Sequence, residues 1–367
     1  MIYFDSAATT LQKPSAVAER VRWAMEQCAS VGRGGHAPAM RAAEEVFRCR
    51  ELAGELFDCK PENVIFTMNA THALNIAIRT LVKRGDRVVI SGFEHNAVYR
   101  PLYALGAEIV IAGRKLFDPE AAVRAFEAAV TQQTKAVVCT HVSNVFGYIL
   151  PVERIAAICR RRGVPLIVDA SQSAGMLPVS LRKLDAAFIA MPGHKGLYGP
   201  QGTGLLLCGQ MPEPLMQGGS GSLSKNPEMP SFLPDGAEAG THNVSGICGL
   251  AEGIGFAARQ GVRELFEHEC RLKAMTADLL RGIGGIRLFE SSENQSGVLS
   301  FTVNGLDCED AASRLAEQDV CVRAGFHCAP LAHESAGTWD TGTVRLSFSA
   351  FNTQEEVERF AEILKKL

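Results

Sequence analysis

PLIVDASQSAGMLPVSLRKLDAAFIAMPGHKGLYGPQGTGLLLC, residues 165 to 208, holds three short apolar runs, PLIVDAS, AAFIAM and GTGLLLC, each followed by polar or glycine-rich chemistry. Continuous apolar runs of this length read as strands buried on both faces. Four earlier runs repeat the pattern: NVIFTM (63–68), DRVVISG (86–92), AEIVIA (107–112) and KAVVCTHV (135–142). Amphipathic stretches separate several of them, among them DPEAAVRAFEAAV (118–130) and PVERIAAICRRRG (151–163), the latter closing on basic residues and a glycine as a helix C-terminus does. Strands alternating with helical crossovers imply an α/β fold with a mostly parallel sheet.

Beyond residue 208 the chain changes character. GQMPEPLMQGGSGSLSKNPEMPSFLPDG is dense in Gly, Pro and Ser, which is loop chemistry and the natural boundary region. After it the pattern predicts one long helix over about 246–281, strands at 297–303 and 343–349, and a last helix from Asn352. Thr353 and Glu356 form a capping-box pair ahead of the apolar face Val357, Phe360, Ala361 and Leu364. The expected division is a large domain over 15–235 and a smaller α+β domain made of 1–14 and 236–367.

The 367 residues carry 37 basic and 40 acidic side chains, with no Lys/Arg block. That balance argues against nucleic acid or a membrane surface as partner and favours a small molecule. MIYFDSAATT lacks a basic region followed by an apolar core, and no run reaches the roughly 18 residues of a membrane span, so a cytoplasmic protein is expected. Eleven cysteines are scattered without a C-x-x-C pair, which argues against structural zinc, any other metal site or a disulfide framework. Cys139 and Cys208, in strand-like runs, read as core hydrophobes.

In open α/β sheets ligands collect beyond the carboxyl ends of strands. At those places stand Asp169 and Gln172, His194 and Lys195, Thr71 and His72, and His95. Taken singly, each has an ordinary structural reading, as a helix cap, a satisfied histidine or a solvated lysine. Together they match the needs of pyridoxal 5'-phosphate: a lysine to carry its aldehyde, an acid for its pyridinium nitrogen, and donors for its phosphate. Lys195, Asp169 and the segment Asn69 to His72 at a helix N-terminus supply these, with His95 available to stack on the ring. The glycine-rich GPQGTG (199–204) leads into a strand, not a helix, and is no dinucleotide fingerprint.

The ordered motifs YFDSAATT, GRGGH, NATHALN, EHNA, SNVFG, DASQSAG, GHKG, EAGTHN, RAGFHCAP and VRLSFSAFNT run almost the whole length of the chain. In them the sequence resembles the cysteine desulfurase and selenocysteine lyase group of class V aminotransferase-fold enzymes. The resemblance implies fold type I and a homodimer. It implies Lys195 as the cofactor lysine, Asp169 at the pyridinium nitrogen, Gln172 on the ring-hydroxyl side and His95 on the ring face. Thr71, His72 and His194 would hold the phosphate, with Thr241 reaching in from a second subunit. Asn144 and Arg345 would bind the substrate carboxylate, with Arg323 a weaker candidate for that task. Cys328 would accept sulfur from L-cysteine as a persulfide, its pKa lowered by His327 or a nearby positive group.

The RAGFHCAP segment is closest to the R-x-G-x-H-C-A branch, which includes selenocysteine lyases and enzymes served by a separate sulfur acceptor protein. The chain departs from the family where a Ser or Thr usually precedes the Gly-His-Lys run: here stands Pro192, with neither hydroxyl nor N–H to offer a phosphate. Three enzymatic readings therefore follow: desulfuration of L-cysteine, lysis of selenocysteine or another β-substituted cysteine, and transamination or epimerisation with Cys328 incidental. A purely binding role would leave the whole constellation unused.

Overall fold

The structure is a computed structural model that describes residues 1–32 and 34–366; Arg33, inside the GRGGH motif, lies outside the described residues, as does Leu367. Its strands are β1 Ile2–Tyr3, β2 Val64–Thr67, β3 Arg87–Ser91, β4 Glu108–Ala112, β5 Thr134–Thr140, β6 Leu166–Asp169, β7 Phe188–Pro192, β8 Gly204–Cys208, β9 Ile286–Phe289, β10 Val298–Val303, β11 Val320–Cys321, β12 Arg323–Gly325 and β13 Thr343–Ser347. The helices are α1 Ser15–Gln27, α2 Ala37–Phe57, α3 Ala70–Leu81, α4 Asn96–Leu105, α5 Pro119–Ala129, α6 Val152–Arg162, α7 Leu181–Leu184, α8 Val244–Gln260, α9 Val262–Arg281, α10 Cys308–Ala316, α11 Pro330–Ala336 and α12 Gln354–Leu364.

The seven runs read as buried strands form one sheet in the order β2-β8-β7-β6-β5-β3-β4. Its β3–β4, β3–β5, β5–β6 and β6–β7 pairs are parallel, whereas β8 runs antiparallel to both neighbours. Two reversals around β8 leave β2 pointing the same way as β7. The carboxyl ends of β2, β3, β5, β6 and β7 therefore share one edge, where Thr71, His95, Asn144, Asp169 and Lys195 stand at or just beyond the strand ends. Both faces are covered: Val89, Val137, Val168 and Ile189 pack into one core, while Val88, Val138, Ile167 and Ala190 pack into another. Burial on two faces is why these strands read as unbroken apolar runs rather than alternating ones.

A second, antiparallel sheet, β12-β13-β10-β9, backs onto its own core of Phe4, Leu299, Phe301, Leu346, Phe348 and Phe360. Strand β1 pairs in parallel with β11 and so joins the N-terminus to this body. Helix α12 opens with the Thr353–Glu356 capping box in place, and α6 closes on Gly163 in the left-handed region. None of the described helices is long and apolar enough to cross a membrane.

The expected single helix over 246–281 is two helices. They break at Gly261, which adopts φ 87°, a conformation only glycine enters without strain. The two parts also face different cores. Ile247, Leu250, Ala251 and Ile254 of α8 pack with the large sheet, whereas Leu272, Ala277 and Leu280 of α9 pack with the small one.

Candidate active site

Local rules place the first wall. After β2, Asn69 caps α3 by accepting the His72 N–H at 2.9 Å, and Thr71 sits in the first turn. The N–H groups of Ala70 and Thr71 have no intrahelical acceptor and form the positive end of the helix dipole. After β3, His95 caps α4, its Nδ1 accepting the Ala97 N–H at 2.9 Å. Burial pushes the His95 pKa down to about 4, so the ring is neutral, with its remaining nitrogen free to carry a proton.

Asp169 ends β6 and is 2% exposed. Its Oδ1 takes the N–H and hydroxyl of Ser171, while Oδ2 takes no hydrogen bond from any described residue. Three residues past β7 stands Lys195, whose pKa falls to about 8, first through burial and then through Arg345. Asn144 fastens two elements together: its Nδ2 donates to the His327 carbonyl at 2.8 Å, and its own carbonyl accepts from Arg345 Nη1 at 2.9 Å.

These side chains converge. One cavity of about 190 Å³ is lined by Asn69, Thr71, His95, Thr140, Asn144, Asp169, Ser171, Gln172, Pro192, His194, Lys195, Arg323 and Arg345, among others. Gln172 is anchored by donating to the Ala7 carbonyl at 3.0 Å. His194 keeps Nδ1 at 3.1 Å from the Thr9 hydroxyl, and burial lowers its pKa to about 4. Arg323 faces Arg345 across the β12–β13 register, and its guanidinium pairs with no described carboxylate.

Some expected residues lie elsewhere. His72 turns away: its ring Nδ1 accepts the Met68 N–H at 3.3 Å, and it lines a neighbouring hollow with Thr241 and His242. Thr241 therefore stands outside its own chain's cavity. The segment that carries it is held by a buried pair in which Arg50 donates to both oxygens of Glu238, at 2.9 and 2.6 Å.

Cys328 does not line the cavity, yet it is the exposed one among the eleven described cysteines, while Cys139 and Cys208 are 0% exposed. Its carbonyl accepts the Asn96 N–H at 2.7 Å, so the loop that bears it is tied to the start of α4. His327 cannot supply the expected positive charge. It is 4% exposed, it bonds Thr343 through Nε2, and burial holds its pKa well below the usual histidine range.

Three participants escaped the sequence reading. Asp5 pairs with Arg345, and Ser171 fixes Asp169; only the Asp-x-Ser spacing hinted at the latter. Glu94, fully buried, holds the Thr140 N–H at 2.7 Å beside Asp169, and burial raises its pKa to about 8. Its signal, an acid next to the His95 motif, is indistinguishable locally from a surface glutamate.

The donor set fits pyridoxal phosphate: a primary amine, a buried carboxylate with one oxygen unclaimed, a neutral imidazole, and a helix N-terminus share one cavity. Comparison with known proteins agrees. The family model described as Aminotransferase class-V matches residues 2–360. A probable cysteine desulfurase of Methanothermobacter thermautotrophicus is 33% identical over all of this chain and 94% of its own length. One from Pyrococcus abyssi is 31% identical over all of this chain and 94% of its own. The apo structure of the cysteine desulfurase from Thermococcus onnurineus superimposes with a TM-score of 0.91 at 31% identity, covering 100% of this chain and 94% of that one.

Proposed function

The chain belongs to the class-V aminotransferase family, and from that premise we propose that it is a pyridoxal phosphate-dependent cysteine desulfurase that moves sulfur from L-cysteine to Cys328. The observation that carries the residue assignment is the tethering of Cys328. It is the exposed thiol, and its loop is bonded to two cavity-side elements through Asn144 and Asn96.

Bound pyridoxal phosphate supplies the electron sink that lets an amino acid Cα–H ionise. Lys195 would carry it, with Asp169 placed to pair with its ring nitrogen, Gln172 to serve its ring hydroxyl and His95 to cover its face. The Ala70 and Thr71 N–H groups, the Thr71 hydroxyl and His194 would hold its phosphate, and in a homodimer the partner subunit would contribute its own Thr241. Arg345 and Asn144 hold the substrate carboxylate, with Arg323 as a second cation on the same wall. The free Lys195 amine would take the Cα proton at Nζ, helped by its lowered pKa. The Cys328 thiolate attacks the substrate sulfur: an S–S bond forms, the Cβ–S bond breaks, and alanine leaves with a proton gained at Cβ. An exposed persulfide is then open to an acceptor protein's thiol.

Purified enzyme supplied with L-cysteine is expected to release alanine and to gain one sulfur on the peptide containing Cys328; a persulfide on another cysteine refutes the assignment. A second reading rests on Cys328 standing outside the cavity lining. Selenide leaves by elimination without a thiolate, so selenocysteine turnover that survives Cys328→Ala, alongside negligible wild-type alanine from L-cysteine, would favour a lyase.

A further inference from the structure

Lys195 has a second cavity at its back. A chamber of about 30 Å³ lies between the two sheets, lined by Ser6, Ser296, Glu269, Tyr198 and Ser347 among others, and it shares Ala7, Gln172 and Lys195 with the front cavity. That volume holds about one water molecule. The hydroxyls of Ser6 and Ser296 are buried, at 6% and 7% residue exposure, and have no hydrogen-bond partner. The Glu269 carboxyl takes no bond from any described residue. Its place is kept open by Gly297, where a Cβ would come within 2.5 Å of the Glu269 Cβ and 2.9 Å of its Oε2. Buried polar atoms without partners point to a water that satisfies them.

We propose that this chamber is a proton store for Lys195, in which water bound by Ser6 and Ser296 links the lysine amine to the Glu269 carboxyl while substrate fills the front. The proposal rests on the desulfurase reading. Alanine needs a proton at Cβ and another at Cα, but the Lys195 amine holds only the one it collected. The second is passed from Glu269 through the water to the amine, and the proton that Cys328 lost to solvent before attack balances it. No electron moves. Burial holds the Glu269 pKa well above the usual carboxylate range, which keeps a proton there to give. The other titratable groups around it are Lys195 and Tyr198 across the chamber and Cys270 beside it on α9; no arginine lines the chamber. Tyr198, raised by burial and then by Glu269, stays protonated. Glu269 acts through Lys195 and is a positioning residue for its proton.

Two measurements test this. Infrared spectroscopy of the holoenzyme at neutral pH should show a protonated carboxyl stretch that shifts in deuterium oxide, is lost in Glu269→Gln and survives in Glu94→Gln, which removes the other raised buried carboxyl; a wild-type spectrum with no component lost in Glu269→Gln overturns the proposal. Glu269→Gln and Ser296→Ala should each lower kcat several-fold with KM unchanged and enlarge the solvent deuterium isotope effect, with Glu269→Asp restoring part of the rate. An unchanged kcat and isotope effect in both variants, or a loss confined to KM, overturns it. Failure of wild type to make alanine refutes the desulfurase reading instead, and the infrared band still decides whether the store exists.

Discussion

Arg345 Nη2 donates to Asp5 Oδ1 at 2.6 Å, so the cation that lines the cavity is already held by a carboxylate 340 residues away in sequence. The Arg345 side chain is 2% exposed and that of Asp5 20%. Removing one partner of such a pair leaves a buried charge alone, at a cost of about 3 kcal/mol. Asp5→Asn is expected to lower the thermal midpoint, and a saturating amino acid such as L-alanine should recover part of the loss by lending Arg345 its carboxylate. Calorimetry with and without alanine checks this; no loss of stability, or no recovery, rules it out.

Cys328→Ala removes an exposed side chain that packs against no core, so stability should change by no more than about 0.5 kcal/mol. Cofactor absorbance and binding of L-cysteine should persist, while alanine release falls to background. A variant that still desulfurates at the wild-type rate would make Cys328 incidental and revive the transaminase or epimerase reading.

If Lys195 is the group that captures the cofactor, as proposed, only its neutral amine can do so. Burial and Arg345 depress its pKa to about 8, so the rate of reconstitution should climb up to about pH 8 and then level, rather than climbing on to 10.5. The sign for stability follows from the same shift. The unfolded lysine binds the extra proton between about pH 8 and 10.5, so this group's contribution rises with pH across that window and is flat below it. Arg345→Met should move the plateau to higher pH. A plateau unmoved by that change contradicts the assigned cause, and a borohydride-trapped adduct on any lysine but Lys195 contradicts the assignment itself.

Pro192 lines the cavity where the resemblance leads one to expect a hydroxyl donor, and His72 points away from it. Phosphate retention should therefore lean on Thr71 and the α3 N-terminus. Loss of one charge-assisted hydrogen bond in Thr71→Ala is expected to cost about 1.5 to 3 kcal/mol, roughly tenfold to a hundredfold in cofactor Kd. His72→Ala should cost much less. Titration of the apoenzymes gives both numbers, and equal losses would place His72 back in the cradle.

If the partner's Thr241 completes each site, dilution to monomer should release cofactor. Sedimentation with absorbance detection reads both together; a stable monomer that keeps its cofactor would show each site to be complete alone.

What the sequence by itself determined is local. The seven apolar runs became the seven strands of the large sheet, the Thr353–Glu356 box caps α12, and the polar residues after β2, β3, β5, β6 and β7 share one edge. Those properties follow from periodicity, caps and strand ends, which neighbouring residues dictate. Tertiary structure alone decided the rest. Gly261 splits a continuous helical pattern because its two halves face different cores. His327 looked like a cation next to Cys328, yet burial among Thr343 and neighbouring cations leaves it neutral. The Asp5–Arg345 pair, and the chamber that Glu269 shares with Lys195, join residues far apart in the chain and exist only once distant elements have packed together. Local pattern carries no record of which distant side chain will fill a given space, and a buried group's charge depends on that neighbour.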